Sequence, residues 1–217
     1  MIICILAGGP LELVPDLHPY KDRPDVIWAG VDRGVYSLIR IGIQPNEAFG
    51  DFDSVTSEEL NFLQEQLGHL HIYPSQKDQT DLEIALEWAM SKKPEKIILF
   101  GATGGRADHY LANIQLLAQP GLINQPQSHI YIEDTTNILF LKTPGTYGVK
   151  KLQNKKYISF IPITPEIKGI TLRGFKYPLE NRNISMGSTL CISNELLYED
   201  GTFSFEEGIL LVVRSSD

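Results

Sequence analysis

The stretch FGDFDSV, residues 49–55, sets Asp51 and Asp53 two positions apart with Phe52 between them. In an extended segment that spacing puts both carboxylates on one side and the phenyl ring on the other. Carboxylates so close repel and raise each other's pKa unless a cation lies between them. A hard divalent ion with oxygen ligands suits the pair, and magnesium is the ion most often shared with substrate phosphates. Two exposed turn acids, with Asp53 capping the next helix, are the alternative that the pair alone leaves open.

Other charged groups recur after apolar runs. Asp32 follows DVIWAGV (25–31), and Lys77, Asp78 and Asp81 follow HLHIYP (69–74). Arg106, Asp108 and His109 lie in GATGGRADH, directly after KIILF (96–100). If these runs are strands of one parallel sheet, the groups share its carboxyl edge, where open α/β sheets bind ligands. Asp32, Asp51, Asp53 and Asp81 then form a candidate metal site. Gly101, Gly104 and Gly105 let the backbone approach a ligand, and the helix after them offers free N–H groups to phosphate. Arg106 supplies a fork for phosphate oxygens or offsets the acids. The loop is neither a P-loop nor a GxGxxG fingerprint, and Asp108 as a plain helix cap stays open. AGGP (7–10) joins the same edge or is a simple turn. His18, His69, His71 and His129 read as strand or loop residues, and KLQNKKY (151–157) as a solvated turn.

The elements that must position these groups alternate. IICIL (2–6), DVIWAGV, NEAFG (46–50), HLHIYP, KIILF and SHIYIED (128–134) read as strands. RGVYSLIRI (33–41) ending at Gly42, SEELNFLQEQL (57–67) with Ser57 as a possible cap, TDLEIALEWAM (80–90) and ADHYLANIQLLA (107–118) have helical periodicity. Such alternation implies a parallel sheet covered on both faces. After about residue 135 helical periodicity is lost. NILFL, KYISFIPI, GITL, TLCIS, GTFSF and GILLVV are short runs parted by Gly, Pro and Asn, as in an antiparallel β-sandwich. The expected organisation is a parallel-sheet α/β domain over 1–135 and an all-β domain over 136–217.

Composition narrows the function. The chain has 217 residues, 42% hydrophobic and 21% charged, enough for a real core. Its net charge of −8 lacks the basic footprint of a nucleic-acid binder. An anionic substrate then needs a local metal or arginine. The two cysteines, Cys4 and Cys191, lie in apolar, strand-like runs and read as buried free thiols. The opening MIICIL is apolar for only six residues, so it reads as a first strand rather than a leader or a membrane span. A reducing cytoplasm is the expected setting.

GVDRG (30–34), GDFDSV (50–55), KDQTDLEIAL (77–86) and GATGGRADHYLANIQLL (101–117), in that order, resemble the thiamine pyrophosphokinase family. GFKYPL (174–179), SNE (193–195) and the segment SFEEGILLVVRS near the chain end resemble that family's C-terminal domain, so the likeness spans nearly the whole chain. It implies an α/β nucleotide domain joined to a β-sandwich, a homodimer, and transfer of a pyrophosphoryl group from ATP to the hydroxyl of thiamine. It assigns magnesium and the nucleotide phosphates to Asp32, Asp51, Asp53 and Asp81. Catalytic roles fall on Asp51, Asp53, Asp81, Arg106 and Asp108. ATP contacts fall on Asp32, Lys77, Asp78, Thr80, Gly104, Gly105, Arg106 and His109. Thiamine would sit between the α/β domain of one subunit and the β domain of the other, near Asp81, Tyr177, Ser193 and Asn194. Arg33 replaces a residue that is commonly small in the family, and Lys77 stands where some relatives have Gln.

Pyrophosphoryl transfer suits this inventory, because positioning and charge stabilisation do most of the work in phosphoryl chemistry. Thiamine's cationic thiazolium also suits an acidic site and an aromatic face such as Tyr177. Two rivals remain at this level. DFDSV also matches the Asp-x-Asp pattern of haloacid-dehalogenase-type phosphatases, although NEAFG is a weak strand to carry a nucleophile. A module that only senses thiamine or nucleotide would need the pockets but not every acid.

Overall fold

The computed structural model describes residues 1–50, 56–67, 78–123 and 129–217. The chain divides into two compact units. The first is Met1–Leu116 with the strand that ends at Glu133; the second is Thr136–Asp217 with residues 117–123.

In the first unit, β1 (Ile2–Leu6), β2 (Val26–Val31), β3 (Glu47–Phe49), β4 (Lys96–Phe100) and β5 (His129–Glu133) form a parallel sheet in the order β5-β4-β1-β2-β3. IICIL and KIILF are apolar on both faces because both faces are covered, as parallel sheets require. Cys4 lies opposite Trp28 and Ile98, and these pack with Leu6, Leu17, Leu38, Ile43 and Phe100. The helices are α1 (His18–Lys21), α2 (Arg33–Arg40), α3 (Ser57–Leu67), α4 (Asp81–Ser91) and α5 (Ala107–Leu116). Thr56 caps α3. Its hydroxyl accepts from the Glu59 N–H at 3.2 Å, and the Glu59 carboxylate accepts from the Thr56 N–H at 2.9 Å, a capping box. α5 stops two residues short of the expected 118. The strand expected at 69–74 lies outside the described residues. His18 does have a partner, the Asp16 carboxylate at 2.7 Å.

Sheet order reverses between β1 and β4, which makes their carboxyl ends the switch point where ligands bind. The loops leaving these two strands are joined there by Ala7 N–H to Phe100 O and Gly9 N–H to Gly101 O, both 2.9 Å.

The second unit opens with the short helix α6 (Pro120–Ile123). Its strands are β6 (Asn137–Lys142), β7 (Gly145–Lys150), β8 (Tyr157–Pro162), β9 (Glu166–Arg173), β10 (Leu179–Ser185), β11 (Asn194–Glu195), β12 (Asp200–Phe205) and β13 (Leu210–Ser215). All pairings are antiparallel, in the orders β11-β8-β13-β6 and β10-β9-β12-β7. Phe160 lies 5.5 Å from Phe175 and 5.0 Å from Phe203, ring to ring, in a core with Ile158, Leu172, Leu210 and Val212. TLCIS (189–193) is a turn, closed by Ile192 N–H to Thr189 O, rather than a strand. Cys191 is nonetheless buried, and burial pushes its thiol up to about 11 and that of Cys4 up to about 12; both cysteines are free. Within KLQNKKY, Lys155 is only 5% exposed, so the stretch is not solvated throughout. The Arg214 guanidinium donates to Lys150 O at 3.0 Å and reaches Lys155 O at 3.5 Å.

Candidate active site

Asp32 ends β2 and begins α2 with φ 50° and ψ −124°, a conformation that costs a non-glycine residue about 1–3 kcal/mol. Two backbone bonds hold it there. Its N–H donates to Phe49 O at 2.8 Å, and its carbonyl accepts from the Val35 N–H at 3.1 Å. The result is a carboxylate fixed between the ends of β2 and β3. A Cβ on Gly50 would fall 2.3 Å from Asp32 Oδ1, so only glycine lets the chain pass over that carboxylate. Gly50, the last described residue before 51–55, therefore lies directly beside Asp32. Asp51, Asp53 and Lys77 lie outside the described residues, and among the described residues no three His, Cys, Asp or Glu side chains gather to hold a metal.

Asp81 reaches the same edge from the other direction. α4 packs on β2 and β3, with Trp88 5.6 Å from Phe49, and the chain then enters β4 at the amino edge, where Glu95 N–H meets Met1 O at 3.0 Å. α4 thus runs opposite to the strands, and its first residue, Asp81, lies at the carboxyl edge with Asp32. Thr80 is its cap, accepting from the Glu83 N–H at 3.2 Å. Asp78, just before, is exposed.

The loop after β4 bends through left-handed backbone at Gly101, Gly104 and Gly105 (φ 61°, 71° and 62°). Asn113, nearly two turns into α5, anchors it by donating to Ala102 O at 2.9 Å. Arg106 grips Asp108 in a fork, Nε to Oδ1 at 3.1 Å and Nη2 to Oδ2 at 2.6 Å, with both side chains largely exposed. His109, also exposed, gives its N–H to Asp108 Oδ1 at 2.9 Å. Arg106 first, then this N–H, pulls the Asp108 carboxyl down to about 2. A carboxyl depressed in the folded state adds stability above the ordinary carboxylate range and loses it as the pH falls through its folded pKa. Asp108 should therefore keep its charge well below pH 3.8 and lose the pair near pH 2, as a carboxyl NMR titration would report. A midpoint in the ordinary range would show that the fork does not persist in solution. The same fork fits phosphate oxygens, so Arg106 is built to hold either anion.

In the second unit, Tyr177 is exposed and Asn194 buried, and the Asn194 side chain bonds the Tyr177 backbone. Ser193 adjoins them at φ 54°, its N–H on Ser159 Oγ at 2.9 Å. Of the sequence candidates, Asp32 and Asp81 share one sheet edge with the Gly101–Gly105 loop, and Tyr177, Ser193 and Asn194 share one corner. Sequence reasoning missed the glycines that seat Asp32. Gly30 lets α2 lie close on β2, where its Cβ would stand 2.7 Å from Val35 Cα, and Gly34 lets α2 press on β1, where its Cβ would stand 2.0 Å from Leu6 O. Their four-residue spacing around Asp32 was the visible signal.

Residues 23–132 match the family model described as thiamin pyrophosphokinase, catalytic domain, and residues 146–210 match thiamin pyrophosphokinase, vitamin B1 binding domain. The thiamine pyrophosphokinase of Bacillus subtilis (strain 168) is 51% identical over 215 residues, 99% of each chain. The crystal structure of thiamine pyrophosphokinase from Bacillus subtilis aligns with a TM-score of 0.93 at 50% identity, covering 100% of both chains. The one from Geobacillus thermodenitrificans gives 0.91 at 51% identity, covering 100% of this chain and 98% of its own. The two models in order, together with a relative half identical over nearly its full length, establish that the chain belongs to the thiamine pyrophosphokinase family.

Proposed function

We infer that the chain does what its family does: it transfers a pyrophosphoryl group from ATP to the hydroxyl of thiamine, giving thiamine diphosphate and AMP. The observation that carries this is the full-length relation to a curated thiamine pyrophosphokinase at 51% identity. The direct test is AMP release. It should require ATP and thiamine together, and AMP formed from ATP alone would contradict the assignment.

Magnesium would be held by Asp32, Asp51, Asp53 and Asp81. Support comes from the carboxylate of Asp32, fixed at strained backbone beneath a glycine that a Cβ would obstruct. The chemistry such an ion supplies is neutralisation of phosphate charge and polarisation of the bond to the leaving AMP. The chain's own groups do the rest. The Gly104–Gly105 backbone and Arg106 grip phosphate, with Asp108 holding Arg106 ready. Lys77, Asp78, Thr80 and His109 line the nucleotide's path. Asp81 would orient the thiamine hydroxyl and accept its proton.

Residues 1–135 form the ATP-binding catalytic domain in this scheme, and 136–217 the thiamine-binding and dimerisation domain. Tyr177 offers its ring to the thiazolium, with Ser193 and Asn194 beside it. Met186, Leu190, Ile192, Leu197 and Tyr198 are exposed apolar groups that a second subunit would cover, which supports a homodimer with shared sites. Two free buried thiols support a cytoplasmic setting. No helix among the described residues is long and apolar enough to cross a membrane.

A further inference from the structure

We propose that Asn194 is a positioning residue for thiamine, acting through Tyr177 rather than by touching the substrate; this rests on the placement of Tyr177 in the thiamine pocket above. Asn194 is 2% exposed. Its Oδ1 accepts from the Tyr177 N–H at 3.0 Å and from the Glu195 N–H at 2.9 Å, and its Nδ2 donates to Tyr177 O at 2.8 Å. A side-chain amide carries the same donor and acceptor as a peptide group. Here it closes a two-bond ring with Tyr177, as a neighbouring strand would. Both polar atoms are thus committed to protein, facing inward.

The surroundings show what this ring completes. Leu197 N–H meets Gly174 O at 2.9 Å, Phe175 bridges Leu196, and Lys176 N–H meets Glu195 O at 2.8 Å. The segments 174–176 and 195–197 are therefore paired backbone to backbone, and Asn194 extends the pairing by one residue through its side chain. Below the backbone, Lys176 and Lys156 both bind the Glu195 carboxylate, at 3.0 and 3.3 Å. Tyr177 is held at its main chain on one side, while the residue is 56% exposed and the Lys176 ammonium lies near its ring face, 5.6 Å from the centroid. A fixed backbone beneath a free aromatic face is what a stacking platform for a cationic ring needs. The left-handed backbone at Ser193 turns Asn194 inward to do this.

The test is steady-state kinetics on the full-length enzyme with a double-mutant cycle. Asn194→Ala should raise the KM for thiamine about tenfold or more, with a smaller effect on kcat, and leave the KM for ATP within about twofold. Tyr177→Ala should raise the thiamine KM as well. The double variant should be no worse than Tyr177→Ala alone, since the first effect passes through the second residue. An unchanged thiamine KM in Asn194→Ala, when Tyr177→Ala raises it, overturns the positioning role. So does an Asn194→Ala effect that persists undiminished in the Tyr177→Ala background, which would mark direct contact. A Tyr177→Ala enzyme with normal thiamine KM instead removes Tyr177 from the pocket, and this inference with it. Should Asn194→Ala fail to fold, Asn194→Asp makes the same comparison, because it keeps both acceptor bonds and sets a carboxylate oxygen against Tyr177 O.

Discussion

Asparagine at Asp51 or at Asp53 is expected to cut turnover at saturating ATP and thiamine by at least about a hundredfold while the protein still folds. The change keeps side-chain size and removes one negative charge, so its cost falls on whatever the carboxylate holds. Asp32 already sits at the end of β2 with its carboxylate beneath Gly50, and the next residue in the chain is Asp51. Carboxylates held close together repel unless a cation lies between them, and the chain already carries a net charge of −8. Thermal melts would show that each variant is folded, and initial rates at saturating magnesium would measure the loss. Near-normal turnover in both variants would contradict the metal clamp. Asp81→Asn separates two roles: a loss in kcat supports its place at the thiamine hydroxyl, whereas a rise in the KM for ATP alone removes it from that place.

The largest stability effect is expected at Gly34. In an exposed helix, alanine in place of glycine gains about 1 kcal/mol. In α2 the added Cβ would stand 2.0 Å from Leu6 O and 2.7 Å from Leu6 C, both backbone atoms of the central strand. Neither can give way without moving β1 or the start of α2. Gly34→Ala should therefore destabilise by about 3 kcal/mol or more, lowering the melting temperature by about 6 °C or more in a chain of this size. An unchanged or raised melting temperature would show that α2 is not pressed onto β1. The shift would also displace Asp32, two residues earlier, so activity should fall further than stability alone explains.

Much of the fold was legible because burial writes itself into composition. IICIL and KIILF are apolar throughout and could only be strands covered on both faces, and the helices between strands carry the periodicity of one buried side. The β part was harder. GTYGVK and LENRNIS form β7 and β10 with little apolar content, because an edge strand needs backbone partners more than buried side chains. TLCIS looked like a strand because it is a short apolar run parted from its neighbours by Gly and Asn, yet a turn can bury a side chain such as Cys191 as well. The site was legible as a set of residue types after strands. Its geometry was not. Nothing local marks Asp32 for positive φ, and the glycines that make room for it act through atoms distant in sequence. Asn194 was placed near thiamine only through the resemblance of SNE to the family, and nothing in the sequence marked its side-chain bonds to the Tyr177 backbone.

The central claim is attack at the β-phosphorus with AMP as leaving group, and ATP labelled at the β-phosphorus tests it most directly. Incubated with thiamine and the enzyme, the label should appear in thiamine diphosphate while the AMP formed stays unlabelled. Label retained in ADP, or captured on the protein as a phospho-aspartate, would contradict it.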